Sequence, residues 1–350
     1  MKTEIIKISN PEAPEASLLE YPAQIIKSGG LVVFPTETVY GIGADATNEN
    51  AVSAIFEAKG RPSDNPLIIH IETPEAAERY AYTSEVYYKL ADSFMPGPLT
   101  VVLKSRESVP KKTRGGLETV AVRCPIAPIA RELIRLSGTA IAAPSANLSG
   151  SPSPTTAEHV IKDMNGRVDA IIDGGAADFG LESTIVKIED NGTLTLLRPG
   201  KITIEDLSQI AKVNVADAVT DKLKDGEVAL SPGMKYRHYA PTAPLTLIDG
   251  EADEVIAYLA DVSMDNVAII TYDEYVEEFK RAFPKADVYN FGKIDDKLMQ
   301  AHSLFAILRE IDSKNYSQIY APLPEKKGIA LALYNRMIRA AAHKIIRMRR

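Results

Sequence analysis

The sequence predicts an α/β protein, with a twisted, mixed sheet and flanking helices followed by a smaller α/β domain of parallel strands. Three observations predict it. At 350 residues the chain exceeds the size at which one core keeps growing, so two domains are expected. Residues 1 to about 215 alternate many strand-length apolar runs with fewer helical patterns, which suits a mixed sheet. After a stretch over 222–244 punctuated by Pro232, Gly233, Pro241 and Pro244, strands and helices alternate in the rhythm of βαβ units. The expected domains are 1–218 and 245–350, joined by a linker over 219–244.

The elements follow in order. Leu18, Leu19, Ile25 and Ile26 have helical spacing, with Gly29-Gly30 as the stop, and Leu31–Phe34 is a strand. Asn48 caps a helix whose apolar positions are Ala51, Val52, Ile55 and Phe56, and Gly60 ends it, so Lys59 and Arg61 stand at a helix exit. Further strands are expected at Leu67–Ile71, Leu99–Lys104, Thr119–Arg123, Ala140–Ala143, Ala170–Asp173, Ser183–Ile188 and Leu194–Leu197. Helices are expected near 84–94, 127–137, 155–164 and 203–211. In the second domain, strands Leu245–Ile248, Val267–Ile270 and Val288–Phe291 alternate with helices over 251–260, 273–282 and 295–312, and a last helix runs from about 328 to the end.

Composition narrows the function. Hydrophobic residues are 45% and charged residues 25%, the average of a soluble globular protein, and no apolar run approaches the roughly 20 residues that span a bilayer. The N-terminus has no apolar signal core, and Cys124 is the single cysteine, so no disulfide or thiolate zinc site is expected and the compartment is read as cytoplasmic. Cys124 itself reads as a small buried hydrophobe. A net charge of −7 argues against a nucleic-acid coat or polybasic membrane binder.

The chemistry must therefore come from local clusters. Walker-type phosphate loops are absent, and Gly41-Ile42-Gly43-Ala44-Asp45-Ala46 fits a dinucleotide pattern only with a misplaced acid, so its glycines read as a tight turn or a close backbone approach. Lys59 and Arg61 taken alone read as a solvated helix end whose cations complement the dipole, but Asn65 and His70 after them put cations and hydrogen-bonding groups near one place. Arg123 ends an apolar strand, where an unpaired charge is costly and an anionic ligand would offset it. Pro144-Ser145-Ala146-Asn147-Leu148-Ser149-Gly150-Ser151-Pro152-Ser153 leads from a strand toward a helix with hydroxyls and backbone N–H groups suited to phosphate. Glu37 and Glu182, the acidic residues inside the polar strings, offer an acid–base pair but read first as surface or capping residues. The five histidines show no metal-ligand spacing. Arg336, Arg339, Lys344, Arg347, Arg349 and Arg350 on the last helix read as cations favoured at a helix C-terminus, or as a phosphate-backbone contact.

Seven ordered strings closely resemble the YrdC-type threonylcarbamoyl-adenylate synthases over about residues 15–215: Pro35-Thr36-Glu37-Thr38-Val39-Tyr40-Gly41, Lys59-Gly60-Arg61-Pro62 with Asn65-Pro66-Leu67, Pro96-Gly97-Pro98-Leu99-Thr100, Val122-Arg123-Cys124-Pro125, Ala143 to Gly150, Glu182-Ser183-Thr184-Ile185 and Leu197-Arg198-Pro199-Gly200. Ser231-Pro232-Gly233-Met234-Lys235-Tyr236-Arg237-His238-Tyr239 and the trailing domain resemble the family's longer, two-domain form. The resemblance implies a YrdC-like sheet and a Rossmann-like C-terminal domain. It also implies that L-threonine, bicarbonate or CO2, and ATP are joined into threonylcarbamoyl-adenylate with release of pyrophosphate, the first step of threonylcarbamoyl-adenosine formation in tRNAs reading codons that begin with A.

Carried over by the same resemblance, Arg61, Asn65, Thr119, Ser145, Ser153, Arg198 and Tyr236 contact ATP, with Lys59 on the phosphates. Thr38, His70, Arg123, Ala143 and Ser183 surround threonine. Lys59, Arg61, Ser145 and Asn147 make up the expected catalytic set. Mg2+ is expected on the substrate phosphates without a protein cage. Lys235, Tyr236 and Arg237 are read as a lid over the nucleotide. Partners implied are the tRNA threonylcarbamoyl-transfer machinery and a weak tRNA contact, with no membrane. Two competing classes are a non-catalytic RNA-binding module, opposed by the acidic charge, and the hydrogenase-maturing carbamoyltransferase, whose paired-cysteine zinc motifs a single cysteine does not supply.

Overall fold

A computed structural model of the chain describes residues 2–63, 65–221 and 239–348. These group into two compact units, residues 2–149 with 153–219 and residues 150–152 with 220–221 and 239–348.

Eleven strands of the described residues form the sheet of the first unit: β1 (Glu4–Lys7), β2 (Val32–Phe34), β3 (Gly41–Asp45), β4 (Ile68–His70), β5 (Leu99–Lys104), β6 (Thr119–Arg123), β7 (Ile141–Ala142), β8 (Ala170–Asp173), β9 (Thr184–Ile188), β10 (Leu194–Arg198) and β11 (Val213–Val215). Their order is β1-β8-β2-β3-β7-β4-β6-β5-β9-β10-β11, with parallel and antiparallel neighbours mixed as the sequence predicts. Helices α1 (Ala16–Lys27), α2 (Glu49–Lys59), α3 (Glu85–Phe94), α4 (Pro128–Ser137), α5 (Ala157–Met164) and α6 (Ile204–Leu207) flank it. Leu19, Ala23 and Ile26 of α1 and Ile129, Leu133 and Ile134 of α4 pack with Val32, Phe34, Ala170 and Ile172, so the apolar stripes read from the sequence are the surfaces buried.

The local signals act as expected at α2. Asn48 accepts from the N–H groups of Asn50 and Ala51, and Gly60 ends the helix at φ +60°, a left-handed conformation natural to glycine. The 41–45 segment is neither a tight turn nor a dinucleotide loop but strand β3. Gly43 is small because a Cβ there would lie 2.6 Å from Phe34 Cε1 and 2.7 Å from Ile141 Cγ2. The helix expected over 203–211 is the single turn α6, because the chain reverses to pair β11 with β10.

The second unit holds α7 (Ala252–Leu259), α8 (Val276–Ala282), α9 (Lys297–Asp312) and α10 (Ala330–Ala340) with five parallel strands: β12 (Leu245–Asp249), β13 (Val267–Thr271), β14 (Asp287–Asn290), β15 (Gln318–Pro322) and β16 (Ile345–Arg347). Their order is β14-β13-β15-β12-β16. Two strands escape the sequence reading, β15 at the centre and β16 at the edge. The final helix does not reach the terminus: Ala342 and His343 turn at φ +48° and +64°, and Ile345–Arg347 then gain a ladder on β12. Arg336 is 0% exposed and Arg339 is buried. Neither a solvated helix end nor a nucleic-acid contact describes them, because their side chains lie among packed groups rather than at a surface. Arg336 lies 5.9 Å from the Tyr239 ring.

Candidate active site

Strand register builds the site. His70 of β4 lies opposite Arg123 of β6, Arg123 opposite Thr100 of β5, Thr100 opposite Ile185 of β9, and Ile185 opposite Arg198 of β10. Directly opposed residues point to the same face, so His70, Arg123, Thr100 and Arg198 form one polar row across an apolar sheet. β4, β6 and β10 end at this row, and a register shift in β10 lies between Leu196 and Arg198. Bulges of this kind re-aim side chains near sites.

Each member of the row is buried. Arg123 is 4% exposed and its Nη2 lies 2.7 Å from Glu37 Oε1. The charge that suggested an anionic ligand is thus offset by Glu37, which is 7% exposed and neither surface nor capping. The contact lacks hydrogen-bond alignment, and Arg123 Nε and Glu37 Oε2 are buried without a hydrogen-bond partner among the described residues. Burial, and secondarily the Arg123 charge, pushes the His70 imidazole down to about 3, so it is neutral. His70 Nδ1 makes no hydrogen bond among the described residues. Beyond Arg123, the Thr100 and Ser183 hydroxyls meet at 2.8 Å, and Arg198 donates from Nη2 to Ser183 Oγ at 3.1 Å and from Nε to Ser183 O at 3.0 Å.

A second cluster surrounds the end of α2. Lys59, 3% exposed, donates from Nζ to Ser145 O at 2.5 Å and Asn147 O at 2.7 Å. Ser145 Oγ donates to Asn147 Oδ1 at 2.5 Å. The ammonium therefore organises the serine loop, while Ser145 bridges to Gly41 and Ala146 N donates to Tyr40 O. Asn65 is wholly buried, and neither amide atom has a hydrogen-bond partner among the described residues. Arg61 lies 5.9 Å from the Phe56 ring. Ser153 donates to Glu182 Oε1 at 2.5 Å; Glu182, like Glu37, is buried rather than at the surface, because hydroxyl and cation partners compensate these carboxylates.

Of the residues expected around threonine, Thr38 is wholly buried and its hydroxyl is 2.8 Å from that of Thr36, and Ala143 lies beside Gly41. His70 and Arg123 belong to the row, and Ser183 is hydrogen-bonded to its Thr100 and Arg198. Thr119 stands apart at the start of β6, four residues before Arg123, or about 13 Å along the strand. Tyr236, with Lys235 and Arg237, lies outside the described residues. Sequence reading missed Thr100, Glu37 and Glu182 as site residues although each stands in a quoted string. Their signal was a polar side chain inside an apolar or glycine-proline run. Cys124 is buried as expected, donating to Glu72 O at 3.3 Å, and burial pushes its thiol up to about 11.

Comparison with known proteins bears on this geometry. Residues 24–200 match the family of Sua5, YciO and YrdC proteins described as telomere recombination, and residues 202–342 match the threonylcarbamoyl-AMP synthase C-terminal domain. The chain belongs to the threonylcarbamoyl-AMP synthase family. The threonylcarbamoyl-AMP synthase of Pyrococcus abyssi is 43% identical over 98% of this chain and 99% of that protein, and that of Bacillus subtilis 39% identical over 99% and 97%. A crystal structure of P. abyssi Sua5 complexed with L-threonine is 42% identical, with a TM-score of 0.88 covering 99% of this chain and 100% of that one. The fold of Escherichia coli YciO, 24% identical, covers 59% of this chain and 99% of that one at a TM-score of 0.53. Members of this family are nucleotidyl-transferring enzymes with ATP as a substrate, and the activity of this chain is synthesis of threonylcarbamoyl-adenylate for tRNA modification. Among the described residues, no helix is long and apolar enough to cross a membrane.

Proposed function

We propose that the polar row holds L-threonine and that the α2 exit with the serine loop holds ATP. Arg123, with Nε unused and Nη2 shared with Glu37, takes the amino-acid carboxylate. Thr38, neutral His70 and Ser183 surround the threonine hydroxyl, with Ala143 beside them. Arg61, Asn65, Thr119, Ser145, Ser153 and Arg198, joined by Tyr236, take the nucleotide. Lys59 acts by fixing the Ser145–Asn147 loop while lending its charge to the phosphates.

The observation that carries this reading is a set of buried polar atoms without hydrogen-bond partners among the described residues: both Asn65 amide atoms, His70 Nδ1 and Arg123 Nε. Each such group costs about 1–3 kcal/mol, a cost a polar ligand removes. The threonine complex of the P. abyssi relative supports an amino acid as that ligand.

In the reaction, bicarbonate or CO2 converts the threonine amine to a carbamate. A carbamate oxygen forms a bond to the α-phosphorus while the bond to the bridging oxygen of pyrophosphate breaks, and pyrophosphate leaves with the electron pair. No covalent enzyme intermediate is needed, so the residues position two anions and neutralise charge. Among the described residues no group of three or more His, Cys, Asp or Glu side chains gathers to hold a metal. Magnesium would be carried on the substrate phosphates, where it would supply charge neutralisation beside Lys59 and Arg61. The product passes to the tRNA threonylcarbamoyl-transfer machinery in the cytoplasm.

Purified protein given labelled ATP, bicarbonate and each amino acid in turn tests the reading. Pyrophosphate release should require threonine; equal release with alanine, or with no amino acid, overturns it.

A further inference from the structure

Arg123 meets its counter-ion inside the protein. Glu37 Oε1 lies 2.7 Å from Arg123 Nη2, the two residues are 7% and 4% exposed, and neither Glu37 oxygen has a hydrogen-bond partner among the described residues. No cap or internal hydroxyl accounts for this carboxylate; its described contact is the guanidinium. The loop that presents it is braced, since Phe179 N donates to Glu37 O at 2.9 Å, Gly180 N to Thr38 O at 3.1 Å and the Thr36 hydroxyl to Val39 O at 2.7 Å.

The charges around this pair can be counted. Burial leaves the His70 imidazole neutral, and Thr38, Thr100 and Ser183, all wholly buried, carry no charge. Arg198, the cation at the far end of the row, is turned to Ser183 O and Oγ. What remains beside His70 and Thr100 is one cation, Arg123, and one anion, Glu37, which sum to zero. In a buried place of zero charge a ligand of zero net charge leaves nothing uncompensated, whereas a monoanion leaves one charge without a partner. A guanidinium with no carboxylate behind it would do the opposite and draw anions.

We propose that Glu37 is a specificity-determining residue that acts through Arg123, making the row select a zwitterionic amino acid over the anion of the matching hydroxy acid. This rests on the reading of the row as the threonine site and adds a residue to it. The selection has a chemical purpose, because a hydroxy acid in that position would lack the amine on which the carbamate is built.

Calorimetric titration of the full chain, without ATP or bicarbonate, tests this with three probes. They are threonine, dihydroxybutanoate, in which a hydroxyl stands where threonine carries its ammonium, and threoninamide, which lacks the carboxylate. The parent protein should bind threonine at least about tenfold more tightly than dihydroxybutanoate, and Glu37→Gln, which keeps the shape and removes the charge, should lower that ratio about tenfold. Glu37→Asp, which keeps the charge, should retain the preference, and together with the parent ratio it serves if Glu37→Gln does not fold. A purely structural role would weaken both ligands alike and leave the ratio unmoved. Equal binding of threonine and dihydroxybutanoate by the parent, an unchanged ratio in Glu37→Gln, or a lost preference in Glu37→Asp overturns the proposal. Threoninamide bound as tightly as threonine, with Arg123→Gln leaving threonine affinity unchanged, overturns the underlying reading of the row and the proposal with it.

Discussion

Lys59 shows how a single residue acts through others. It is buried at the end of α2, and its ammonium spans the carbonyls of Ser145 and Asn147. Lys59→Ala removes a charge and releases the loop together, so threonine-dependent pyrophosphate release should fall on the order of 10²-fold. Wild-type turnover would contradict the assignment. His70 carries a different consequence. Its folded-state value near 3 lies below the unfolded value of about 6.5. The unfolded chain therefore binds the proton more tightly, and the stability His70 contributes is complete above about pH 6.5 and lost as pH falls toward 3, with a slope of about 1.4 kcal/mol per pH unit. Urea unfolding at several pH values should show a shallower acid loss in His70→Gln than in the parent; parallel curves would refute it.

At the scale of elements, β3 passes between β2 and β7 with Phe34 and Ile141 filling the space a side chain would need at Gly43. Gly43→Ala should lower the unfolding free energy by about 1–3 kcal/mol through overpacking, as measured by urea midpoint. An unchanged midpoint would show that the ring gives way without cost. The same strand divides the reading of these glycines: the close approach to neighbouring strands expected of Gly-x-Gly is there, whereas the tight turn is not, because smallness serves packing between strands. Strands β15 and β16 escaped for a related reason: the short runs Gln318–Pro322 and Ile345–Arg347 lack alternation, and only pairing on both sides of β12 selects them.

Across the whole molecule, the first unit includes Ala218 and Val219, both buried, so a fragment cut after Asp221 keeps that core where a cut after 215 would not. On the expectation that Lys235, Tyr236 and Arg237 close over the nucleotide, residues 1–221 should retain ATP binding and lose most product formation, because the cover for a labile mixed anhydride is gone. Full activity in the fragment would remove any closing role for those residues. Burial of Arg336 bears on the molecule's partners as well, since a cation enclosed in a core adds nothing to an RNA-facing surface.

The sequence by itself determined the α/β class, most helices and strands, and the ordered strings that identify the family. Local signals suffice for these: apolar periodicity, the Asn48 cap and the Gly60 stop all act within a few residues of chain. Only the tertiary structure decided how the site residues are partnered, because Arg123 with Glu37, Lys59 with Ser145, Ser183 with Arg198, and the burial of Arg336 depend on strand register and long-range packing, and the cost of a buried charge is set by neighbours distant in the chain.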